Sequence, residues 1–64
     1  MKLKEYLDRN GLTFREFAAL IEVADGRTVH RYAAGERLPR RAVMTRIAAQ
    51  TRGAVTAADF FDSA

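Results

Sequence analysis

Arginine is concentrated in the middle of this 64-residue chain, and it is the side chain best suited to bind phosphate or guanine. Residues 27–52 carry seven arginines against one acid, Glu36, for a net charge of +6. The planar guanidinium group donates two parallel hydrogen bonds to phosphate oxygens or to the edge of guanine. This segment therefore predicts a surface that binds a polyanion. The alternative is a basic surface that contacts only solvent.

The flanks of this segment have the opposite charge balance. Residues 1–26 hold four basic and five acidic side chains, and residues 53–64 hold two acids and no base. A polyanion-binding face needs its positive charge gathered in one place, with the other elements as its scaffold. The middle segment is therefore predicted to be the functional one, although Arg46 and Arg52 are expected to lie outside the binding face.

The sequence offers no set of residues for catalysis or metal binding. His30 is the lone histidine, the chain has no cysteine, and a metal site needs several ligands. Nucleophilic catalysis requires a nucleophile beside a base, and no such pair stands near His30. We therefore expect a protein that is not an enzyme and that uses no metal, cofactor or small-molecule substrate.

The elements that position these side chains are predicted from the spacing of apolar residues and helix breakers. Apolar residues recur three and four apart, and the alternation typical of strands occurs over no run. We expect a single all-α domain, residues 1–64, with five short helices at about 2–10, 14–22, 26–34, 40–51 and after Thr56. No apolar run approaches the ~20 residues that span a membrane. The first residues lack a signal-peptide pattern, so a cytoplasmic protein is expected.

Two helix starts carry strong local signals. Thr13 and Glu16 have the spacing of a capping box, in which each side chain accepts a hydrogen bond from the other residue's amide. Asp25 is placed to cap the free amides of Arg27 and Thr28. The glycines at positions 11, 35 and 53 are expected to end helices.

Short motifs follow one another over nearly the whole chain: Leu12-Thr13, Glu16-Phe17-Ala18, Thr28-Val29-His30-Arg31-Tyr32, and Gly35 with Pro39. Their order and spacing resemble the phage Cro and lambda-repressor type of helix-turn-helix. Residues 53–60 resemble the end of short single-domain members, such as Cro-like repressors and antitoxin-like regulators. The resemblance implies a lambda-repressor-like domain. It also implies that the protein is a transcriptional regulator of phage, mobile-element or bacterial origin, and that it binds double-stranded DNA in a sequence-specific way. It implies a repressor that binds a palindromic operator through the major groove.

This chain departs from the family pattern at four places. Glu22 stands where the family has a glycine between the two helices, and Ala24 makes the turn one residue longer. Phe14 replaces the polar residue that commonly opens the second helix. Tyr32 replaces a tryptophan on the inner face.

The resemblance places DNA base contacts on one predicted helix, at Gly26, Arg27, Thr28 and Arg31. Gly26 would let the backbone approach DNA closely, and the two arginines would each pair with guanine. Alternatively, the two arginines contact phosphates without reading bases. The alternative for Thr28 is that it bonds only to Asp25. His30, on the outward side, is expected to touch a base edge or the DNA backbone, or to be solvated.

Phosphate contacts are expected at two other places. At the start of the second helix they would come from Thr13, Phe14 and Arg15, with the free amides of the latter two donating to phosphate. After the third helix they would come from arginines 37, 40 and 41, which the resemblance places along the DNA backbone. The alternative for these arginines, Arg37, Arg40 and Arg41, is solvated surface charge.

Two adjacent phenylalanines near the C-terminus, Phe60 and Phe61, cannot both point inward easily. Together with Val55 they are expected to form a homodimer interface, at least on DNA, because two-fold symmetry matches a palindromic operator. An alternative is an antitoxin-like or adaptor protein whose C-terminal helix binds a protein partner. Another is a helical interaction module whose arginines meet an acidic partner.

Overall fold

The computed structural model describes residues 1–61, which form five α-helices and no strand. The all-helical prediction is confirmed for these residues. None of their helices is both long and apolar enough to cross a membrane. The helices are α1 (Leu3–Arg9), α2 (Phe14–Leu20), α3 (Gly26–Ala34), α4 (Arg41–Gln50) and α5 (Ala57–Phe61).

The end of α2 differs from the sequence prediction. The helix stops at Leu20, before the expected end near Glu22, because Glu22 takes a left-handed conformation with φ of 59°. The amide of Glu22 donates to the carbonyl of Ala19 at 3.3 Å, and the amide of Val23 donates to that of Ala18 at 2.9 Å. This pair of bonds is the Schellman arrangement, which usually has glycine at the left-handed position. A glutamate there carries the steric cost that glycine avoids.

The start of α2 has the capping box that the sequence predicts. The amide of Glu16 donates to the Thr13 hydroxyl oxygen at 3.0 Å, and the amide of Thr13 donates to the Glu16 carboxylate at 2.9 Å. The hydrogen bond from the Thr13 amide is the main cause that lowers the pKa of Glu16. The carboxylate is therefore stabilised in its charged form at the positive end of the helix.

The core lies where all the helices except α5 meet, and residues of the loops complete it. Tyr6 packs edge-to-face on Phe17 with ring centroids 6.2 Å apart. Gln50, the last residue of α4, is exposed, and Thr51 directly after it is buried. The buried apolar residues are Leu3, Leu7, Phe17, Ala18, Ile21, Val29, Tyr32, Val43, Ile47 and Val55.

Thr51 joins α4 to the segment that precedes α5. Its hydroxyl donates to the carbonyl of Ile47 at 2.8 Å and accepts from the amide of Val55 at 3.1 Å. The hydroxyl therefore has a partner both as donor and as acceptor inside the core, where an unpaired polar group would be costly. Periodicity alone did not predict a buried polar residue here.

Asp59 connects α5 to the start of the chain. Its carboxylate accepts the amide of Thr56 at 2.8 Å and pairs with the Met1 amino group at 3.0 Å. The hydrogen bond from the Thr56 amide is the main cause that lowers the pKa of Asp59. The Thr56 hydroxyl also donates to this carboxylate, at 3.3 Å, and the amide of Asp59 donates to the Thr56 carbonyl at 3.0 Å.

Candidate nucleic-acid interface

The start of α3 packs directly on the backbone at the start of α2. A Cβ atom added to Gly26 would lie 2.8 Å from the amide nitrogen of Arg15 and 3.1 Å from the carbonyl carbon of Phe14. Real Cβ atoms essentially never come closer than 3.0 Å to such atoms. Gly26 thus permits a close contact between helices, a role that the sequence did not indicate.

Asp25 caps α3, as the sequence predicts. Its carboxylate accepts from the amide of Thr28 at 3.0 Å and from the Thr28 hydroxyl at 3.2 Å. The hydrogen bond from the Thr28 amide is the largest cause that lowers the pKa of Asp25. The hydroxyl proton of Thr28 is therefore engaged with Asp25, the alternative considered for this residue, and only its oxygen lone pairs are left for another partner.

The outward face of α3 carries Arg27, His30 and Arg31, all exposed, while Val29 and Tyr32 are buried on the opposite face. Arg27 and Arg31 are four residues apart in the sequence and so lie on one side of the helix. The structure therefore places on a single helix face the two arginines that the resemblance assigned to base contacts.

His30 packs against Phe14 across the gap between α3 and α2. The rings meet edge-to-face, with centroids 5.1 Å apart and planes at 87°. Phe14 is half-buried and His30 is exposed, so the pair lies at the rim of the α2–α3 surface. This arrangement of aromatic rings stabilises the pair by about 0.5–1.5 kcal/mol in well-packed cases. The contact restrains His30, and the sequence did not predict it.

The other expected phosphate contacts lie on two separate segments. Thr13 and Arg15 are exposed at the start of α2, where the Thr13 hydroxyl oxygen is occupied by the Glu16 amide. After α3, the buried Pro39 anchors the loop, and three arginines in the loop and at the start of α4 are exposed. These are Arg37, Arg40 and Arg41, the last of which opens α4.

No arginine of residues 27–52 lies within salt-bridge distance of a carboxylate in the part of the chain that the structure describes, although the charge of Arg27 contributes to the lowered pKa of Asp25. The ion pairs there join the Met1 amino group to Asp59, Lys4 to Asp8 and Arg9 to Glu5. Each of them uses a cation from the first nine residues. All seven arginines of the middle segment are exposed, so their charge is directed to solvent or to a ligand.

The three residues expected at a dimer interface have different environments. Val55 is fully buried in the core of its own chain, so its assignment to a dimer interface is wrong for this conformation. Phe60 is half-buried against the core, and Phe61 is 65% exposed. The two phenylalanines therefore do point differently, as their adjacency on a helix requires.

The described residues contain no group of three histidine, cysteine or acidic side chains arranged to hold a metal ion. Comparison with protein-family models, with curated proteins and with solved structures found no match. The function of the chain is therefore inferred from its own residues and their geometry.

Proposed function

We propose that this chain is a sequence-specific regulator of transcription that binds double-stranded DNA and acts as a repressor. In this proposal α2 and α3 form a lambda-repressor-like helix-turn-helix, and α3 lies in the major groove. The observation that carries the proposal is the set of exposed arginines between residues 27 and 52, none of which pairs with a carboxylate in the described residues.

Such a concentration of like charge is unfavourable in the free protein and becomes favourable beside a polyanion. The dimensions of α3 also fit the proposal. An α-helix with its side chains is about 10–12 Å across, and the major groove, about 12 Å wide, admits a helix of this diameter. The buried Val29 and Tyr32 hold the opposite face of α3 to the core.

The exposed arginines divide into two roles in this proposal. Arg27 and Arg31, on α3, read base edges, where each bidentate pair with guanine contributes about 1–3 kcal/mol of discrimination. Arg37, Arg40 and Arg41 contact phosphates and set the register of the protein on the duplex. His30 lies beside the reading face and adds a contact to the backbone or to a base edge. Such a regulator acts in the cytoplasm, on the nucleoid of a bacterial or phage-infected cell.

A homodimer on DNA follows from the small size of the reading surface. One domain covers a single half-site, and two-fold pairing places two α3 helices about 34–36 Å apart, one turn of DNA. Phe61, 65% exposed on α5, is the residue that would pack against the second copy. A palindromic operator is the expected partner of such a dimer.

A second candidate function is that of an antitoxin-like or adaptor protein that binds a protein partner. The observation that favours it is an apolar cleft of about 330 Å³ next to α5, lined by residues that include Phe60 and the exposed Leu38. Arg37, which has no carboxylate within salt-bridge distance in the described residues, also lines this cleft and would suit a partner with an acidic side chain beside an apolar anchor.

Selection of bound duplexes from a random pool tests the main proposal. We expect enrichment of an inverted repeat with half-sites about one turn apart. Binding should weaken with salt, with a slope of about −0.9 in log affinity against log salt for each phosphate neutralised. A pool that stays random after selection, with a duplex affinity that does not respond to salt, would favour the protein-binding candidate.

A further inference from the structure

A cleft of about 470 Å³ separates the α2–α3 connection and α3 from the first turns of α4. Three arginines line it: Arg37 in the loop, Arg40 at the start of α4 and Arg46 within α4. The half-buried Thr28 lies on the α3 side. Glu22 is the one carboxylate among the lining residues.

Arg46 reaches this cleft because of the way α4 packs. Val43 is buried at 8% exposure and also lines the cleft, and Arg46 follows one turn later on the same face. The sequence alone gave no reason to group Arg46 with the loop arginines, and it was expected to lie outside the binding face. The tertiary structure brings it to the same cleft as Arg37 and Arg40.

The charges around the cleft are not balanced from within the described part of the chain. None of the three arginines lies within salt-bridge distance of a described carboxylate, including that of Glu22. One acidic residue and three arginines among the lining residues leave an excess of positive charge at the cleft. Guanidinium groups of arginines that line one cleft can donate several hydrogen bonds to the oxygens of a phosphate.

We propose that this cleft binds a phosphate group through Arg37, Arg40 and Arg46, and that Glu22 opposes the binding by its charge. The phosphate belongs either to the DNA backbone or to a free phosphate compound, and the chemistry of recognition is the same for both. The first case rests on the proposed function and adds Arg46 to its contacts. The second case does not depend on it.

The test compares three variants that change one charge each. Arg46→Gln removes a cleft cation, and Glu22→Gln removes the opposing charge without changing the length of the side chain. Arg52→Asn is the matched control, because Arg52 is an exposed arginine that does not line the cleft. Its φ of 54° is left-handed, a conformation that asparagine tolerates. Circular dichroism and thermal unfolding verify that each variant is folded.

Two probes distinguish the sources of phosphate. The first is a double-stranded oligonucleotide of arbitrary sequence, with affinity measured over a range of salt. The second is inorganic pyrophosphate, followed by NMR through the amides of Thr28 and Ala42, with chloride at matched ionic strength. A change in affinity for the duplex among the variants indicates a site for the DNA backbone. A change in affinity for pyrophosphate indicates a site for a free phosphate compound.

We expect Arg46→Gln to weaken binding by roughly tenfold, because a hydrogen bond to a charged group is lost. With the duplex, the salt slope should also become less steep by about 0.9. Glu22→Gln should strengthen binding, and Arg52→Asn should leave it unchanged. The inference holds if this pattern appears with either probe, and the responding probe identifies the source.

The inference is overturned if Arg46→Gln binds both probes like the parent protein. It is also overturned if Glu22→Gln fails to strengthen binding or if Arg52→Asn weakens it as much as Arg46→Gln does. These outcomes are separate from those of the operator selection. If an operator is enriched but the Arg46→Gln variant binds like the parent protein, the proposed regulatory function stands and the proposed phosphate site in the cleft is wrong. If the variants show the full expected pattern but no operator is enriched, the phosphate site stands and the sequence-specific regulatory function is wrong.

Discussion

Gly26 at the start of α3 lies so close to Arg15 at the start of α2 that a Cβ atom would come within 2.8 Å of the Arg15 amide nitrogen. The contact is between two backbones, so no side chain can move aside to relieve it. The relative position of α2 and α3 therefore depends on the absence of one methyl group. Because α3 carries Arg27 and Arg31, the same contact also sets the orientation of these arginines relative to α2.

Gly26→Ala is expected to lower the free energy of unfolding by roughly 1–3 kcal/mol, the usual cost of overpacking a close contact. Urea unfolding measures this change. Gly35 provides the contrast, because a Cβ there meets nothing within 4 Å but its φ is +78°. Asparagine tolerates the left-handed region, so Gly35→Asn should be milder than Gly35→Ala, whereas Gly26→Asn should be no milder than Gly26→Ala. Equal behaviour of the two positions would argue against the close contact.

Glu22→Gly is expected to stabilise the fold, by about 1 kcal/mol or less. Glu22 takes the left-handed φ of 59° that L side chains disfavour, and glycine adopts it without a steric penalty. The gain is partly offset by the larger conformational entropy of glycine in the unfolded chain. Glu22→Ala keeps the steric cost while removing the charge, so it should give no comparable gain. Thermal unfolding of both variants separates the backbone effect from the charge effect.

Stability is expected to fall in acid because of three carboxyl groups that accept hydrogen bonds from amides. The pKa values of Glu16, Asp25 and Asp59 are lowered in the folded state, chiefly by the amides of Thr13, Thr28 and Thr56 respectively. A group with a lowered folded pKa contributes stability above its unfolded pKa of about 4 and loses it as the pH falls through the folded value. Urea unfolding between neutral pH and strong acid measures this loss.

Asp25→Asn is the informative variant for this pH dependence. Asparagine is a good helix cap but does not titrate, so the helix start is kept while one source of acid sensitivity is removed. The difference in stability between this variant and the parent should therefore shrink as the pH falls below about 4. A difference that stays constant from neutral pH to strong acid would show that the Asp25 carboxylate does not contribute through its charge.

Arg27→Ala and Arg40→Ala are expected to weaken DNA binding in different ways. Loss of Arg27 should cost about 1–3 kcal/mol on the selected operator and relax the preference at one base pair. Loss of Arg40 should weaken binding to all sequences alike and reduce the salt slope by about one. Affinities for the operator and for a scrambled duplex measure both effects. If both variants bind both duplexes as tightly as the parent, the assignment of these contacts is wrong.

Much of the fold was predictable from residues that are near one another in the sequence. The capping bonds of Thr13 with Glu16 and of Asp25 with Thr28 form as expected, because each spans a single helical turn. The left-handed glycines after α1 and α3 were also predicted, but α2 and α4 are each followed by a non-glycine residue in a glycine-like conformation, Glu22 and Arg52. The burial of Val55 was missed, because Val55 was grouped with the phenylalanine pair of the terminal helix, Phe60 and Phe61, as one interface.

The sequence by itself determined the five helices and the concentration of arginine between residues 27 and 52, since both depend on local spacing and composition. Only the tertiary structure decided which distant residues meet. It placed Gly26 on the backbone of Arg15, His30 on the ring of Phe14, and Arg46 at the same cleft as Arg37. These contacts join separate helices and loops, and their geometry follows from how the whole core packs rather than from any one segment.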